Sequence, residues 1–230
     1  MLPPRERADG AAIAIGAARC MFQGLGKAVR IALLSPRQEM RGLRACASAL
    51  LLAACAQLPP VEVPLAPDTG ADAVVFDIDG TLTPSVLAVT EARPVAAEAV
   101  TAYSKKGYAV IYLSTRVPAF QSGLPDWLKQ NGFPDGAIHV AQTTEERENA
   151  ADYKSGVLER YLKRGWHLAY AYGDSSTDFE AYAKAGIPTA HVFALKRRGE
   201  NQCQDGVYQQ CLDGWEQILP FVERQVPAVR

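Results

Sequence analysis

Five short apolar runs recur along the second two thirds of the chain: Ala73 to Asp77, Tyr108 to Ser114, Ala137 to Ala141, His167 to Gly173, and Thr189 to Leu195. The segments between them carry helical spacing instead. Val95, Ala99, Val100 and Tyr103 share one face behind Pro94, which a first helical turn tolerates, and Gly107 provides a stop. A second helix is predicted over Leu124 to Asn131, ending at Gly132. A third is predicted from about Glu146 to Arg164, with Thr143 and Glu146 as a capping box and Gly165 as its end. The fourth runs from about Thr177 to Ala185, stopped by Gly186. Strands that alternate with helices imply right-handed crossovers and a parallel sheet covered on both faces, and near-continuous apolar strands agree. The expected fold is a three-layer α/β Rossmann-like domain with a central parallel sheet of about five strands.

In such a sheet every strand ends at one edge, where ligands bind. The residues at and just past the end of each strand therefore carry the candidate chemistry. The first strand ends in Asp77 and Asp79, within "VVFDIDGTLTPS"; the second ends in Ser114, Thr115 and Arg116; the fourth runs into "GDSSTD", Gly173 to Asp178, with Lys154 on the helix before it. A buried strand that ends in paired carboxylates is costly unless those charges have partners, and the expected partner is a cation.

The order of these pieces resembles the four signatures of the haloacid dehalogenase superfamily of phosphotransferases, from Val74 to about Leu195. Within it, "DIDGTLTPS", "YLSTR" and "WLKQNGFPDG" look most like the carboxy-terminal domain of the lipins, Mg-dependent phosphatidate phosphatases, and its phosphatidylinositol-transfer-protein relatives. The resemblance implies Asp77 as nucleophile. It implies Asp79 as general acid and base, its backbone carbonyl also on the metal, with Ser114 and Lys154 on the transferred phosphoryl group. Asp77, Asp79, Asp174 and Asp178 form the expected Mg²⁺ site, Asp178 by orienting a metal-bound water or Lys154. The second acid favours a phosphatase over a dehalogenase, which needs no proton donor there. About thirty residues separate Asp79 from Ser114, and about forty separate Ser114 from Lys154, enough for the crossover helices and little else. No large cap domain is expected, and an open site suits a large phosphomonoester such as a lipid headgroup, a phosphoprotein or a nucleotide. The alternatives are a non-catalytic module of the same fold that binds an anionic lipid or phosphate, and a broad-specificity periplasmic acid phosphatase acting on nucleotides.

Arg116 is a candidate grip on substrate, with an ion pair to a nearby acid as the bland reading. Lys196, Arg197 and Arg198, after the fifth strand, are candidates to contact an anionic substrate or membrane, against a solvated turn. His139, His167 and His191 share no ligand spacing and are expected to pack, as are Trp127, Trp166 and Trp215.

Charge divides the chain. Residues 1–54 carry eight Lys and Arg against three Asp and Glu, residues 55–230 sixteen against twenty-two. The acidic body argues against non-specific binding of nucleic acid. From Met40 the sequence "MRGLRACASALLLAACAQLPP" has a basic start and an apolar run too short to span a bilayer, the order of a secretory signal. Leu52 to Cys55 resembles a bacterial lipobox, which implies lipidation of Cys55 and a place in the cell envelope, facing the periplasm and anchored to membrane through that lipid. On that reading translation starts at Met40 and residues 1–39 are outside the mature protein. Residues 40–54 are then a signal peptide, 55–70, rich in Pro and Ala, a tether, and 71–230 the phosphatase domain. Cys203 and Cys211 close a short polar loop and are expected to form a disulfide in an oxidising compartment. Oligomeric state and substrate identity leave no signal in the sequence.

Overall fold

A computed structural model describes residues 57–230. Cys55 and the leader, residues 1–54, lie outside them. Six strands form one wholly parallel sheet in the order β3-β2-β1-β4-β5-β6: β1 (Asp72–Asp77), β2 (Ala109–Ser114), β3 (Ala137–Val140), β4 (His167–Gly173), β5 (Val192–Leu195) and β6 (Gln210–Leu212). The helices are α1 (Ala96–Lys105), α2 (Leu124–Gln130), α3 (Thr144–Glu148), α4 (Ala150–Lys163), α5 (Ser176–Lys184) and α6 (Leu219–Arg224). This is the three-layer α/β architecture the alternation predicts, without a large cap domain among the described residues.

The period of two along β1 explains the layers. Val74 and Phe76 point into one core with Ala99, Val100 and Tyr103 of α1, Trp127 of α2 and Val222 of α6. Ala73 and Val75 point into the other, with Val157, Leu158 and Tyr161 of α4 and Phe179 and Tyr182 of α5. Both faces are apolar because both are covered. The order of the strands leaves β1 at the centre, flanked by β2 and β4, so the ends of these three strands converge.

Four expectations require correction. The helix predicted from Glu146 to Arg164 is two helices, broken at Asn149, whose backbone adopts φ −107° and ψ 54° while its side-chain amide donates to the Glu145 carbonyl at 3.0 Å. Asparagine competes for backbone groups in this way wherever a helix can be interrupted. The capping box of Thr143 and Glu146 forms at the start of the first piece. The run from Thr189 begins as a 3₁₀ turn, Thr189–His191, and becomes strand only at Val192. A sixth strand, β6, extends the expected sheet of about five; it is three residues long, with no periodic pattern of its own, and carries Cys211 of the disulfide Cys203–Cys211 at its middle.

The fourth correction concerns residues 55–70, expected as a tether. Gln57 donates to the Gln142 carbonyl at 2.8 Å, and the Leu58 amide donates to Gln121 at 3.3 Å. Val63 is buried in the core, Trp166 donates to the Pro64 carbonyl at 2.9 Å, and the Ala66 amide pairs with the Arg164 carbonyl at 2.9 Å. The stretch from Gln57 is a strap packed along the sheet from its carboxyl edge, at the end of β3, to its amino edge, before β4.

Trp215 ties the carboxy-terminal segment to the centre of the sheet. It is fully buried, with its ring centroid 4.9 Å from Tyr172 and 5.9 Å from Phe76, and its indole donates to the Thr81 carbonyl at 3.1 Å. Trp215→Ala should therefore cost about 3–5 kcal/mol in urea unfolding, the range for losing a large buried aromatic side chain. A cost below about 1 kcal/mol would contradict this packing role.

Candidate active site

The end of β1 delivers Asp77 into a place almost without water, where its residue is 3% exposed. One oxygen, Oδ1, accepts from the Lys154 ammonium at 2.6 Å. The other, Oδ2, is buried with no hydrogen-bond partner among the described residues. Lys154 projects from α4 and is shared: it also donates to Asp178 Oδ1. Asp178, in the first turn of α5, has its second oxygen filled by the Asp174 amide at 3.2 Å, the Ser175 amide at 3.0 Å and the Ser175 hydroxyl at 2.7 Å. Both oxygens of Asp178 are thus committed to holding Lys154 and the turn after β4.

Asp174 completes the group. Asp77, Asp174 and Asp178 each offer an oxygen within 4.8 Å of the others, and all three residues are buried. Thr81 donates to Asp174 Oδ1 at 3.3 Å, and the Arg197 guanidinium pairs with its Oδ2. Burial raises the Asp77 carboxyl well above the usual carboxylate range; Asp178, Asp174 and Asp79 add to the rise and Lys154 opposes it. Burial also raises Asp174, with Asp178 adding to it and Arg197 working against it. Two cations facing three buried acids leave an orphaned oxygen on Asp77. A hard divalent cation with oxygen ligands fits this donor set, because it satisfies that oxygen and lowers the repulsion among the acids. Asp77, through its unpartnered Oδ2, and Asp174 could hold it, while both oxygens of Asp178 are bonded to Lys154 and the turn after β4.

Asp79 stands slightly apart. Arg116 grips it with two bonds, Nη2 to Oδ1 at 2.6 Å and Nε to Oδ2 at 3.1 Å, while the Ser114 hydroxyl donates to Oδ2 at 2.6 Å. Arg116 is itself buried, so this fork is shielded from water. Of the basic cluster after β5, only Arg197 reaches the acids. Lys196 pairs with Asp213 and Arg198 with Glu91, both at the exposed surface. His139 is buried and bonded to the Tyr161 hydroxyl at 2.8 Å, and burial pulls it down to about 4, so it packs as a neutral ring.

Three contributors lie beyond the acids, hydroxyl and basic groups that the sequence marks as candidates. Arg93, just before α1, donates to the Gly80 carbonyl at 2.7 Å, the Thr83 carbonyl at 3.1 Å and the Lys196 carbonyl at 2.7 Å, clamping the turn after β1 to the loop after β5. Gly80 has φ +98°, and a Cβ there would stand 2.1 Å from Asp174 Oδ2, so the close approach of these loops demands glycine. The third is an apolar wall. A cleft of about 500 Å³ opens above Asp77, Asp79, Lys154, Asp174 and Arg197, and Val86, Leu87, Val89, Val117 and Phe120 line its side. A groove of about 550 Å³ between the strap and α4 brings no such acids together.

The parallel sheet and the acids at its carboxyl edge define a haloacid-dehalogenase-like α/β domain. The chain belongs to the LNS2 domain family described for PITM 1-3, whose model matches residues 74–196. It is 30% identical over 134 residues to protein retinal degeneration B of Drosophila melanogaster, covering 56% of this chain and 10% of that protein. It is 28% identical over 144 residues to human membrane-associated phosphatidylinositol transfer protein 1, covering 59% of this chain and 11% of that one. The chain thus spans about a tenth of the length of these relatives. Among solved structures it overlaps the cobalt-bound deoxy-D-mannose-octulosonate 8-phosphate phosphatase of Haemophilus influenzae with a TM-score of 0.42 and 14% identity, over 65% of this chain and 85% of that one.

The acids give a test through stability. A carboxyl raised in the folded state favours folding below its unfolded value, and that contribution is lost as pH rises through the folded value. Without divalent cations the domain should therefore lose stability as pH climbs from the unfolded carboxylate range, about 4, through the raised value of Asp77. A divalent ion binds the deprotonated acids, so the rise in Tm on adding Mg²⁺ should be larger at neutral than at acidic pH. Melts followed by circular dichroism check this; a Mg²⁺ shift independent of pH would contradict it.

Proposed function

We propose that this domain is a Mg²⁺-dependent phosphomonoesterase that works through an aspartyl-phosphate on Asp77, with a large phosphorylated substrate such as a phosphatidate-like lipid. One observation carries the reading: the Asp77 carboxylate is held by Lys154 on one side and left without a hydrogen-bond donor on the other, at the floor of a cleft where Asp174 and Asp79 also converge. Structural ion pairs are built to be saturated, and this one is not. Cys55, outside the described residues, is proposed to carry a lipid anchor on the periplasmic side of the bacterial envelope. The disulfide Cys203–Cys211 suits that compartment.

A Mg²⁺ ion would be held by Asp77 and Asp174 and would supply the positive charge that lets a carboxylate approach an anionic phosphate ester. Asp77 attacks phosphorus, the ester P–O bond breaks, and the leaving oxygen takes a proton from Asp79. Water then gives a proton to Asp79 and attacks the aspartyl-phosphate, releasing inorganic phosphate and the free Asp77 carboxylate. Lys154 neutralises charge on the transferred group while Asp178 holds it in place. Ser114 and Arg116 both donate to Asp79 in the free protein. An arriving phosphoryl group offers these donors its own oxygens, and their transfer frees Asp79 for proton exchange.

The fork of Arg116 on Asp79 also favours a second reading, a module that binds a phosphate headgroup without turnover, since an acid with both oxygens filled by donors cannot give up a proton. A panel of phosphatidate, nucleotides and phosphopeptides with Mg²⁺ separates the two. Wild type should release inorganic phosphate, and Asp77→Asn or removal of metal by EDTA should lower the rate by about 10³-fold or more, the scale for losing the nucleophile of a covalent mechanism. Wild type as inactive as Asp77→Asn, with phosphatidate still bound, would favour the binding module.

A further inference from the structure

Exposed apolar side chains are unevenly placed around the cleft. On the side formed by the loops after β1 and β2, Leu87 is 89% exposed, Phe120 51%, Val117 49% and Val86 44%. On the side formed by the segment after β5, the surface is polar, with Glu200, Gln202, Gln204 and Asp205. Four large apolar residues open to solvent beside one cleft are more than the scattered single exposures common on a protein surface. None has a packing role that holds the loop shape. The turn after β1 is held by Arg93 and Thr83, and the turn after β2 by Gln121, which donates to the Arg116 and Ala141 carbonyls at 2.9 Å each.

The strap adds a second, independent observation. Its first described residues, Gln57 and Leu58, lie at the carboxyl edge of the sheet, bonded to Gln142 after β3 and to Gln121, the neighbour of Phe120. The chain therefore arrives at the domain beside the apolar side of the cleft, and away from the polar side. Immediately upstream in sequence are the apolar run Ala45 to Ala54 and Cys55. Whatever surface receives a lipid on Cys55 lies within a few residues' reach of Leu58 and its partner Gln121, since two or three residues span at most about 10 Å.

We infer that the apolar side of the cleft, Val86, Leu87, Val117 and Phe120, rests on the bilayer that holds the proposed Cys55 anchor, so that the floor of the site faces phosphate groups carried in that membrane. This deepens the phosphatase reading and rests on it for the chemistry, but the orientation stands on the rim and the strap. Apolar loops in the interface add affinity that a single acyl chain lacks, and they point the floor of acids and Lys154 at the level of the headgroups. The arrangement selects a phosphate joined to an apolar body over a small soluble ester, because the wall beside the floor is apolar.

The test uses the full chain. With vesicles of brominated phosphatidylcholine, added fluorescence in Leu87→Trp should be strongly quenched. That in Leu162→Trp, at the carboxyl end of α4 on the opposite edge of the sheet and 39% exposed in the native residue, should not be. The double variant Leu87→Ser with Phe120→Ser should hydrolyse vesicle-borne phosphatidate about tenfold more slowly or worse. Its hydrolysis of p-nitrophenyl phosphate should fall less than its hydrolysis of vesicle-borne phosphatidate, since both residues line the cleft but only the membrane-borne ester needs the rim seated on a bilayer. Equal quenching at the two positions, or none at Leu87→Trp, overturns the orientation, and leaves a protein partner or the chain's own apolar segment to cover the rim. If wild type hydrolyses neither ester, the phosphatase reading fails on its own, and the contrast in quenching still decides how the domain sits.

Discussion

The structure is organised around a crowd of carboxylates in a place without water. Asp77, Asp174 and Asp178 offer oxygens within 4.8 Å of one another, and such an arrangement is unfavourable unless positive charge is supplied on the spot. Lys154 supplies one charge and Arg197 another, each by a direct ion pair. Neither fills Asp77 Oδ2. A site that stabilises its acids incompletely in the absence of a metal ion is poised to bind one, and affinity for the ion grows with the repulsion it relieves.

The fold serves that crowd. A parallel sheet gathers strand ends at one edge, and the order that places β1 between β2 and β4 brings Asp77, Ser114 and Asp174 together from positions far apart in the chain. Close approach depends on small residues: a Cβ on Gly80 would strike Asp174, and one on Gly173 would stand 2.6 Å from the Asp178 Cβ. Arg93 then ties the turn after β1 to the loop that carries Arg197. Membership of the LNS2 family places the chain among domains found in proteins named for phosphatidylinositol transfer, of which it matches about a tenth.

Much of this was legible in the sequence because strands and helices have distinct periods. Val74 and Phe76 alternate with Ala73 and Val75, and the spacing of Ala99, Val100 and Tyr103 fixes one helix face. Acids directly after apolar runs marked the carboxyl edge. The rest depended on tertiary contacts that leave no local pattern. Strand β6 has three residues and exists because β5 offers it an edge. The Pro- and Ala-rich strap has no period, yet Val63 is buried, since irregular backbone can pack when its polar groups find partners such as Arg164 and Trp166. Arg93 was a lone arginine among many. Leu87 and Phe120 looked like ordinary apolar positions, and only their exposure beside the acids sets them apart.

The account stands or falls on one ion shared by two distant acids. A crystal of the protein soaked in Mn²⁺, with anomalous scattering recorded at the manganese edge, measures this directly. One peak should lie at coordination distance, roughly 2.0–2.3 Å, from oxygens of both Asp77 and Asp174. No peak there, with Lys154 and Arg197 alone facing the acids at saturating metal, would contradict it.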